Sequence, residues 1–398
     1  MASNIKKSLL VTLDFPPNLG GVAAYYYQVC KNLPANKIVV LAPKQEGDQA
    51  FDREQNFTII RKKLLNYFPQ KMPKGLGGIL KIAASVKWLS IIKHLSPIVK
   101  NHKIELIQAG QVLPLGTLAL FYQRRRKLPY IFYAHGLDLT LPQKFMRKKT
   151  LLKKIIAGAA AIVANSYFTK DELLKLGATP EKIKVIYPCP NLPAQPASDQ
   201  KIKEISANHH LTDKKILLTV GRLIERKGHD SVIKALPAII KKVPTVVYLI
   251  VGSGPEEKRL KKLANQYRLG DYVKFLGAVS PHDLVAFYQL CDVFIMPARQ
   301  LANGDVEGFG IVYLEANQFA KPVIGGRSGG VAEAVIDGQT GILVDPIDVN
   351  EIAQAAIKLL TDTAYAAKLG TQGLERVTEK FDWPTQVEKI KEILEKRN

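Results

Sequence analysis

KILLTVGRLIERKGHDSVIKALPAIIKKVPTVVYLIVG, residues 215–252, places two short apolar runs on either side of a helical pattern. Each run is rich in β-branched residues and ends at glycine, which is typical of a strand buried on both faces of a sheet. The residues near 230–241 repeat with helical spacing. A strand, a helix and a second strand in this order predict a parallel pair of strands joined by a right-handed crossover.

The same alternation continues in both directions along the chain. Further strands are predicted at 8–14, 37–43, 57–62, 104–109, 130–135, 161–166, 183–188, 272–277, 293–298, 321–326 and 341–344. Further helices are predicted near 255–269, 281–290 and 309–320. Strands that alternate with helices favour parallel sheets with helices on both faces.

A proline-rich stretch divides the chain in two. PCPNLPAQPASDQ, at 188–200, has the composition of an interdomain linker. The predicted fold class is therefore α/β, with two doubly wound, Rossmann-like parallel-sheet domains, 1–190 and 191–382, that face each other across a cleft. Ligands bind such sheets at the carboxyl ends of the strands, so loops from both domains are expected to line the cleft.

Composition excludes several classes of protein. The chain has 398 residues, of which 47% are hydrophobic and 23% charged, so a disordered or collagen-like chain is excluded. Cys30, Cys189 and Cys291 are too far apart for a CxxC pair and fit a reducing compartment. The apolar run before Asp14 is too short for a signal peptide, and the stretch 109–123 is too short to span a bilayer. We therefore expect a cytoplasmic protein without a transmembrane helix.

Positive charge is concentrated in the first half. The formal net charge is +22, to which residues 1–200 contribute +19 and residues 201–398 contribute +3. Residues 55–154 alone contain 20 Lys and Arg against two acids. Such a basic surface favours an anionic partner, either a membrane or a nucleic acid. No recognisable nucleic-acid-binding module accompanies it, which disfavours the second partner.

One segment of the basic half has an amphipathic pattern. GGILKIAASVKWLSIIKHLSP, at 77–97, has an apolar arc and a basic arc when plotted as a helix, and basic clusters follow at 124–127 and 147–149. This pattern predicts either a helix that lies on an anionic membrane or a domain helix whose apolar arc packs in the core. The sequence leaves both interpretations open.

The loop after the first strand contains adjacent glycines. Gly20 and Gly21 open a predicted helix, where exposed backbone N–H groups can hold a phosphate or let a substrate approach. A tight turn without a ligand is the alternative. The tyrosines that follow, Tyr25, Tyr26 and Tyr27, are expected to belong to the core and its flank.

Two cations follow the strand at 215–221. Arg222 lies just past the strand end, and Lys227 lies before the next helix. Two cations on one loop suit a diphosphate, because they would neutralise the negative charge that grows on it as a nucleotide leaves. A solvated basic loop is the alternative, and Arg226 is expected to be solvated.

The sharpest motif is GDVEGFGIVYLEANQFAKPVIGGRSGG at 304–330. Glu307 lies on a glycine-rich turn with Gly308 and Gly310, and Glu315 lies eight positions later on the predicted helix. One carboxylate can meet a sugar hydroxyl and the other a ribose, and the helix N-terminus favours phosphate. Either glutamate alone would more simply be an ordinary helix residue.

His135 ends the strand at 130–135, and Gly136 follows it, so the side chain is expected at the edge of the cleft as a donor to a substrate oxygen. A structural histidine is the alternative. The remaining histidines show no metal-ligand spacing, and no Asp-x-Asp pair occurs. VGSGPE at 251–256 lacks the third glycine of the dinucleotide fingerprint, and no P-loop or GxSxG motif is present. Dehydrogenase, P-loop and hydrolase functions are therefore disfavoured.

Taken together, these motifs resemble the retaining glycosyltransferases of family 4, which have the GT-B fold. The resemblance covers nearly the whole chain and rests on the glycine pair 20–21, His135, the GRLIERKG segment at 221–228 and the E-x7-E motif. The stretch 296–316 is most similar to the branch that contains the phosphatidylinositol mannoside mannosyltransferases, which use GDP-mannose. The SGG at 328–330 matches the usual loop of the family only loosely.

The resemblance implies a role for each motif. Arg222 and Lys227 would hold the diphosphate, and Glu315 the ribose. Glu307 would hold the donor sugar, with His135 approaching from the other domain. The remaining implied donor contacts are Gly20 and Gly21 at the diphosphate and acceptor, Gly308, Phe309, Gly310 and Ile311 at the sugar, and Gly277 and Val279 at the base. The C-terminal helix, 383–398, would cross back to the first domain.

The implied function is transfer of a hexose, with retention of configuration, from a nucleotide-sugar to a lipid-linked or membrane-associated acceptor. The expected donor is GDP-mannose, without a cofactor or a metal. A UDP-sugar-dependent hexosyltransferase of glycan or lipopolysaccharide synthesis is the alternative, and an epimerase or a nucleic-acid-binding protein is disfavoured. The protein is expected at the anionic inner face of the cell membrane, with its oligomeric state open.

Overall fold

The computed structural model describes residues 5–17, 20–64, 89–193 and 195–395. The chain forms two compact units, one of Met1–Tyr187 with Trp383–Asn398 and the other of Pro188–Asp382. The predicted division after residue 190 lies within three residues of the one observed.

The first unit is built on a seven-stranded sheet in the order β3-β2-β1-β4-β5-β6-β7, in which all neighbours are parallel. The central strand pairs on both sides, with Ser8 opposite Ile38 and Leu106. The strands are β1 (Ser8–Val11), β2 (Ile38–Pro43), β3 (Thr58–Lys62), β4 (Leu106–Ala109), β5 (Tyr130–Ala134), β6 (Ala161–Ala164) and β7 (Ile183–Val185).

Helices cover both faces of this sheet. They are α1 (Gly21–Asn32), α2 (Asp48–Arg53), α3 (Leu89–Asn101), α4 (Thr117–Arg126), α5 (Leu137–Thr140), α6 (Met146–Gly158) and α7 (Tyr167–Lys175). Short turns of tighter or wider helix occur at Ala35–Lys37, Val112–Gly116, Pro142–Lys144 and Pro180–Lys182.

The second unit repeats the plan with a six-stranded parallel sheet in the order β10-β9-β8-β11-β12-β13. Its strands are β8 (Lys215–Val220), β9 (Val246–Val251), β10 (Val273–Gly277), β11 (Val293–Met296), β12 (Val323–Gly326) and β13 (Gly341–Val344). Its helices are α8 (Asp199–Asn208), α9 (His229–Lys242), α10 (Glu257–Gln266), α11 (Pro281–Leu290), α12 (Ile311–Gln318), α13 (Val331–Ala334), α14 (Val349–Thr361) and α15 (Thr363–Lys380), with a 3-10 turn at Glu225–Lys227.

Both sheets have the doubly wound order that was predicted, and each predicted strand is present. Strands such as β9 are buried along their whole length because helices cover both faces. In each sheet the order reverses beside the first strand, at β1/β4 and at β8/β11. Loops at the carboxyl ends near such a reversal are the usual place for a ligand.

The amphipathic segment 77–97 is described only in part, because residues 65–88 lie outside the described ranges. The remainder belongs to α3, which continues to Asn101. Ile91 and Leu95 are fully buried in the core of the first unit, and Ile98 nearly so. For this portion the structure therefore supports a domain helix with its apolar arc in the core. The prediction for 77–88 is not tested.

The last helix, α16 (Trp383–Leu394), packs on the first unit. The ring of Trp383 meets that of Tyr25 edge to face at 5.2 Å, and Gln386 accepts a hydrogen bond from the backbone N–H of Tyr187. Tyr25 and Tyr26 are buried, as predicted for core residues. No helix in the described ranges is long and apolar enough to cross a bilayer.

Candidate active site

Lys227 and Glu307 form the centre of the candidate site in the second unit. Lys227 ends the 3-10 turn between β8 and α9, and Glu307 lies in the loop between β11 and α12. The Lys227 Nζ lies 2.6 Å from Glu307 Oε2, and the two side chains are largely buried, at 12% and 13% exposed. The structure therefore brings together two of the residues predicted from separate motifs, at the carboxyl ends of the two strands where the sheet order reverses.

Electrostatics keep Glu307 ionised. Burial by itself would raise the pKa of this carboxyl, but the adjacent Lys227 and Arg226 lower the pKa to about 2. Burial lowers the pKa of Lys227, against the attraction of Glu307. The site is thus a preformed charge pair in a region from which water is largely excluded, where a further anion would interact strongly with the lysine.

Arg226 is not solvated, so that prediction was wrong. Its guanidinium pairs with Glu307 through Nη1, and its Nε lies 2.9 Å from Asp305 Oδ1. The side chain is 14% exposed. Two carboxylates from the loop after β11 hold it there, and their position depends on tertiary contacts that the local basic pattern does not report.

Arg299 and Asp230 are site residues that sequence reasoning missed. The two side chains form a two-pronged ion pair at 3.0 and 3.1 Å, in which Asp230 is buried and Arg299 is 12% exposed. The backbone N–H of Arg299 donates to the carbonyl of Arg226 at 2.8 Å. These contacts tie the loop that carries Glu307 to the loop that carries Lys227. In the sequence Arg299 follows a strand and Asp230 lies at the start of a helix. Neither position predicts that the two side chains pair.

The SGG segment, residues 328–330, packs against the loop that carries Glu307. The backbone N–H of Gly330 donates to the Glu307 carbonyl at 2.9 Å. A Cβ on Gly330 would lie 2.1 Å from the Gly308 carbonyl oxygen, so only glycine fits there. Gly329 has φ +55° and faces the Glu307 carbonyl in the same way. Because this segment matches the family loop only loosely, the sequence did not predict that it packs against the Glu307 loop.

Gly310 caps α12 in the left-handed region, with φ 95°. Gly308 and Phe309 are buried beside it, and Ile311 begins the helix half-buried. The helix therefore starts within the glycine-rich turn, as predicted, with its N-terminus beside Glu307.

Glu315 lies on α12 and is 8% exposed. Its carboxylate accepts a hydrogen bond from the Tyr288 hydroxyl at 2.9 Å. Burial raises the pKa of Glu315 to about 7, and the Tyr288 hydrogen bond and the nearby Lys227 oppose this shift. Around neutral pH the group is therefore divided between its acid and its carboxylate, and only in the carboxylate do both oxygens act solely as acceptors.

The VGSG segment packs against the loop that carries Arg222, which is exposed. The N–H of Leu223 donates to Ser253, and a Cβ on Gly252 or Gly254 would lie 2.1 or 2.4 Å from a carbonyl oxygen of that loop. These glycines therefore serve loop packing, which explains a GxG pair without a dinucleotide fingerprint.

The predicted base-binding loop follows β10. Gly277 is left-handed, with φ +70°, and no described atom lies within 4 Å of a Cβ built on it. Val279 is half-buried. Gly277 accepts a hydrogen bond from Gly252 at 2.7 Å, so this loop joins the VGSG segment at the same edge of the sheet.

The glycine pair of the first unit is open. Gly20 precedes α1, which begins at Gly21. The Gly20 backbone is extended, with φ 161°, and no described atom lies within 4 Å of a Cβ built on it. Neither backbone conformation nor packing among the described residues requires glycine at this position.

His135 is bound to Tyr26 in the first unit. The Tyr26 hydroxyl donates to the Gly110 carbonyl and lies 2.7 Å from His135 Nε2, so Nε2–H is the donor to Tyr26. Burial lowers the pKa of His135 to about 4, and the ring is neutral. In this arrangement Nδ1 is an acceptor. The predicted donor role toward a substrate oxygen would require Nδ1–H and a Tyr26 hydroxyl turned toward Nε2.

Asp138 is a second residue that the sequence motifs did not indicate. Its Oδ1 accepts from the backbone N–H of His135 at 2.9 Å, and its buried Oδ2 has no hydrogen-bond partner within the described part of the chain. Burial raises the pKa of Asp138 to about 6, against the backbone donors around it. Among the described residues no group of three His, Cys, Asp or Glu side chains is placed to hold a metal ion.

Comparisons with known proteins agree with this architecture. The model for glycosyl transferases group 1 matches residues 200–376, and the model for glycosyltransferase family 4 matches residues 19–192. The chain is 30% identical to the GDP-mannose-dependent alpha-(1-6)-phosphatidylinositol monomannoside mannosyltransferase of Mycobacterium tuberculosis, over 98% of both chains.

A relative from Corynebacterium glutamicum, 29% identical over 98% of both chains, is a GDP-mannose-dependent mannosyltransferase for monoacylated phosphatidylinositol monomannoside. Among solved structures, Anabaena HepE in complex with UDP and glucose superposes with a TM-score of 0.79 at 20% identity, over 98% of this chain and 99% of that one. Its likeness shows the shared fold. This chain belongs to glycosyltransferase family 4 and is a hexosyltransferase with the GT-B fold.

Proposed function

We propose that this enzyme transfers mannose from GDP-mannose, with retention of anomeric configuration, to a phosphatidylinositol mannoside or a closely similar lipid acceptor. The observation that carries the proposal is full-length similarity to mannosyltransferases with this donor and this class of acceptor. The charge pair at Lys227 and Glu307 supports it, because a sugar diphosphate needs both a cation for its phosphates and an acceptor for its hydroxyls.

Lys227 would stabilise the departing diphosphate. In the structure its ammonium pairs with the Glu307 carboxylate, within a largely buried network that also includes Arg226. A diphosphate at this position would share the lysine, and the exposed Arg222 would add a second cation from the same loop. Negative charge on the diphosphate grows as the bond to the sugar breaks, so these cations act most strongly in the transition state.

Glu307 would orient the sugar rather than attack it. Its pKa of about 2 reflects two tightly held cations, which make its carboxylate a poor nucleophile. We therefore propose same-face attack, in which the acceptor hydroxyl enters beside the leaving diphosphate and gives its proton to a diphosphate oxygen. Catalysis then rests on positioning and on electrostatic stabilisation. Glu315 would accept from the ribose, and His135 would contact the sugar from the first unit.

We further propose a cytoplasmic enzyme that acts at the inner face of the cell membrane. The lipid acceptors of its relatives and the net charge of +19 on residues 1–200 support this location. No metal is proposed for the chemistry, since Lys227 and Arg222 supply the positive charge.

The test is a transfer assay with purified enzyme, extracted membrane lipids and a panel of GDP-, UDP- and ADP-sugars. We expect labelled mannose from GDP-mannose to enter a lipid product with an α linkage, in the presence of a metal chelator. Transfer from a UDP-sugar alone would favour the alternative hexosyltransferase and overturn the donor assignment. Conversion of the sugar nucleotide without an acceptor would indicate an epimerase.

A further inference from the structure

Four large apolar side chains are exposed within a single ten-residue stretch of the first unit. Leu137 is 37% exposed, Leu141 40%, Phe145 54% and Met146 80%. The stretch spans α5, the turn at Pro142–Lys144 and the first residue of α6. We call these four side chains the apolar face.

The apolar face begins on the single turn of α5. Leu137 and Leu141 are one helical turn apart, because the N–H of Leu141 donates to the Leu137 carbonyl. Between them, Leu139 and Thr140 are buried on the opposite side. The outward side of this turn is therefore apolar, whereas a surface helix ordinarily presents polar side chains to water.

Cations are frequent in the segment that carries the apolar face. Residues 137–154 contain six Lys and Arg and a single acid, Asp138, which lies in the interior beside His135. Arg147, Lys148, Lys153 and Lys154 are exposed, and Lys148 Nζ lies 4.7 Å from the centre of the Phe145 ring. Exposed apolar groups within a field of positive charge match an anionic lipid surface, in which apolar side chains enter the acyl region and cations meet the phosphates.

The position of this face fits a lipid acceptor. Leu137 follows the His135–Gly136 turn directly, so the apolar face begins two residues from a candidate catalytic side chain. An acceptor whose acyl chains remain in the bilayer would then have its headgroup near His135. A protein partner would need an acidic surface with its own apolar centre, a more demanding match than an anionic bilayer.

We infer that the apolar face, Leu137, Leu141, Phe145 and Met146, with the cations of 147–154, docks the enzyme on anionic membrane at the acceptor side of the first unit. This inference rests on the proposed lipid acceptor. It assigns the membrane contact to a segment other than 77–97.

The experiment measures sedimentation of the full chain with vesicles of phosphatidylcholine alone and of equal parts phosphatidylcholine and phosphatidylglycerol. The wild-type chain is expected to bind only the anionic vesicles. The double variant F145S/M146S should lose binding at least about tenfold. The control is Tyr267→Ser, which removes an apolar side chain 44% exposed in the second unit and should leave binding unchanged.

A second pair of variants tests the cations. R147E/K148E should lose anionic vesicle binding at least about tenfold, and K258E/K262E, with the same change of charge on α10, should not. All four altered side chains are exposed, so melting temperatures should stay near that of the wild type.

Activity assays separate this inference from the proposed function. F145S/M146S should transfer normally to a short-chain acceptor in solution and poorly to the same headgroup embedded in vesicles. If F145S/M146S binds vesicles as well as Tyr267→Ser does, the inference is wrong even where transferase activity is confirmed. If the wild-type chain binds no vesicles, the inference is also wrong, and a protein becomes the candidate occupant. If vesicles bind through the apolar face but no mannose is transferred, the proposed function fails and the docking surface stands.

Discussion

The loops around Lys227 in the second unit and the 135–154 segment of the first unit are both rich in cations. In the loops the cations are largely buried and paired with carboxylates, whereas in the segment they are exposed to solvent. Arg226 and Lys227 are buried against Glu307, and Arg299 is buried against Asp230. Arg147 and Lys148 instead project into solvent beside exposed apolar side chains. A buried cation needs a fixed counter-charge to offset desolvation, and such a pair becomes a precise site for a small anion. Cations left in water hold no fixed geometry and suit an extended anionic surface.

The largest expected difference in turnover is between two variants that each lose one lysine, Lys227 in the second unit and Lys148 in the first. Lys227→Ala should lower turnover about 100-fold to 1000-fold, because it removes a cation that stabilises the leaving diphosphate. Lys148→Ala should leave turnover with a soluble acceptor unchanged. Steady-state kinetics with GDP-mannose measure both variants. Near-normal turnover in Lys227→Ala would contradict the proposed role of this site.

Glu307→Ala should likewise lose most of the transfer activity, but it is a less selective test of the chemistry. It leaves Arg226 and Lys227 buried with one carboxylate fewer, which costs about 3–5 kcal/mol when a buried pair is broken. Lost activity would then combine a chemical and a structural effect.

The next effect concerns buried and exposed arginines. Arg299→Ala should destabilise the enzyme by about 3 kcal/mol, because Asp230 loses its main buried partner. Arg147→Ala should change stability by less than about 0.5 kcal/mol. Thermal unfolding measures both, and Arg299→Lys should restore only part of the loss, since an ammonium cannot reproduce the two-pronged contact. Equal stability of the two alanine variants would mean that the pair does not tie the loops together.

A comparison of two glycines isolates backbone packing. Gly330→Ala places a methyl group 2.1 Å from the Gly308 carbonyl oxygen, so it should cost about 1–3 kcal/mol and weaken donor binding. Gly20→Ala meets no described atom within 4 Å and should leave the melting temperature unchanged. Calorimetry with GDP reports the binding. A Gly330→Ala enzyme with normal donor affinity would show that the Glu307 loop does not depend on this support.

The smallest effect is a pH dependence. Glu315, with a pKa of about 7, takes up a proton as pH falls through neutrality, while Glu307, at about 2, stays ionised. A protonated Glu315 accepts ribose hydroxyls less well, so donor affinity should fall up to about tenfold from one pH unit above to one unit below neutrality. Glu315→Gln should bind weakly at both pH values. A wild-type affinity that does not change with pH would separate Glu315 from the donor.

Local patterns determined the secondary structure around the site. The β-branched runs predicted every strand among the described residues, since strands buried between helices need continuous apolar sequence. In the second unit, the helices at 199–208, 331–334, 349–361 and 363–380 were not predicted. Within the site, the glycines at 308 and 310 and the spacing from Glu307 to Glu315 predicted a turn that opens a helix, because glycine conformation and helical periodicity are local properties.

By itself the sequence determined two doubly wound units and the family, and it predicted Lys227 and Glu307 as donor-binding residues; that the two side chains form an ion pair is known only from the structure. Tertiary structure decided which cations are buried. Arg226 pairs with Glu307, 81 positions away, and Arg299 pairs with Asp230, 69 positions away. Gly330, which follows a different strand, donates a hydrogen bond to the Glu307 carbonyl. It also decided that Leu137 and Phe145 are exposed while Ile91 and Leu95 are buried. Apolar periodicity reports that a face exists, and only the packing of distant elements determines whether protein or solvent lies against it.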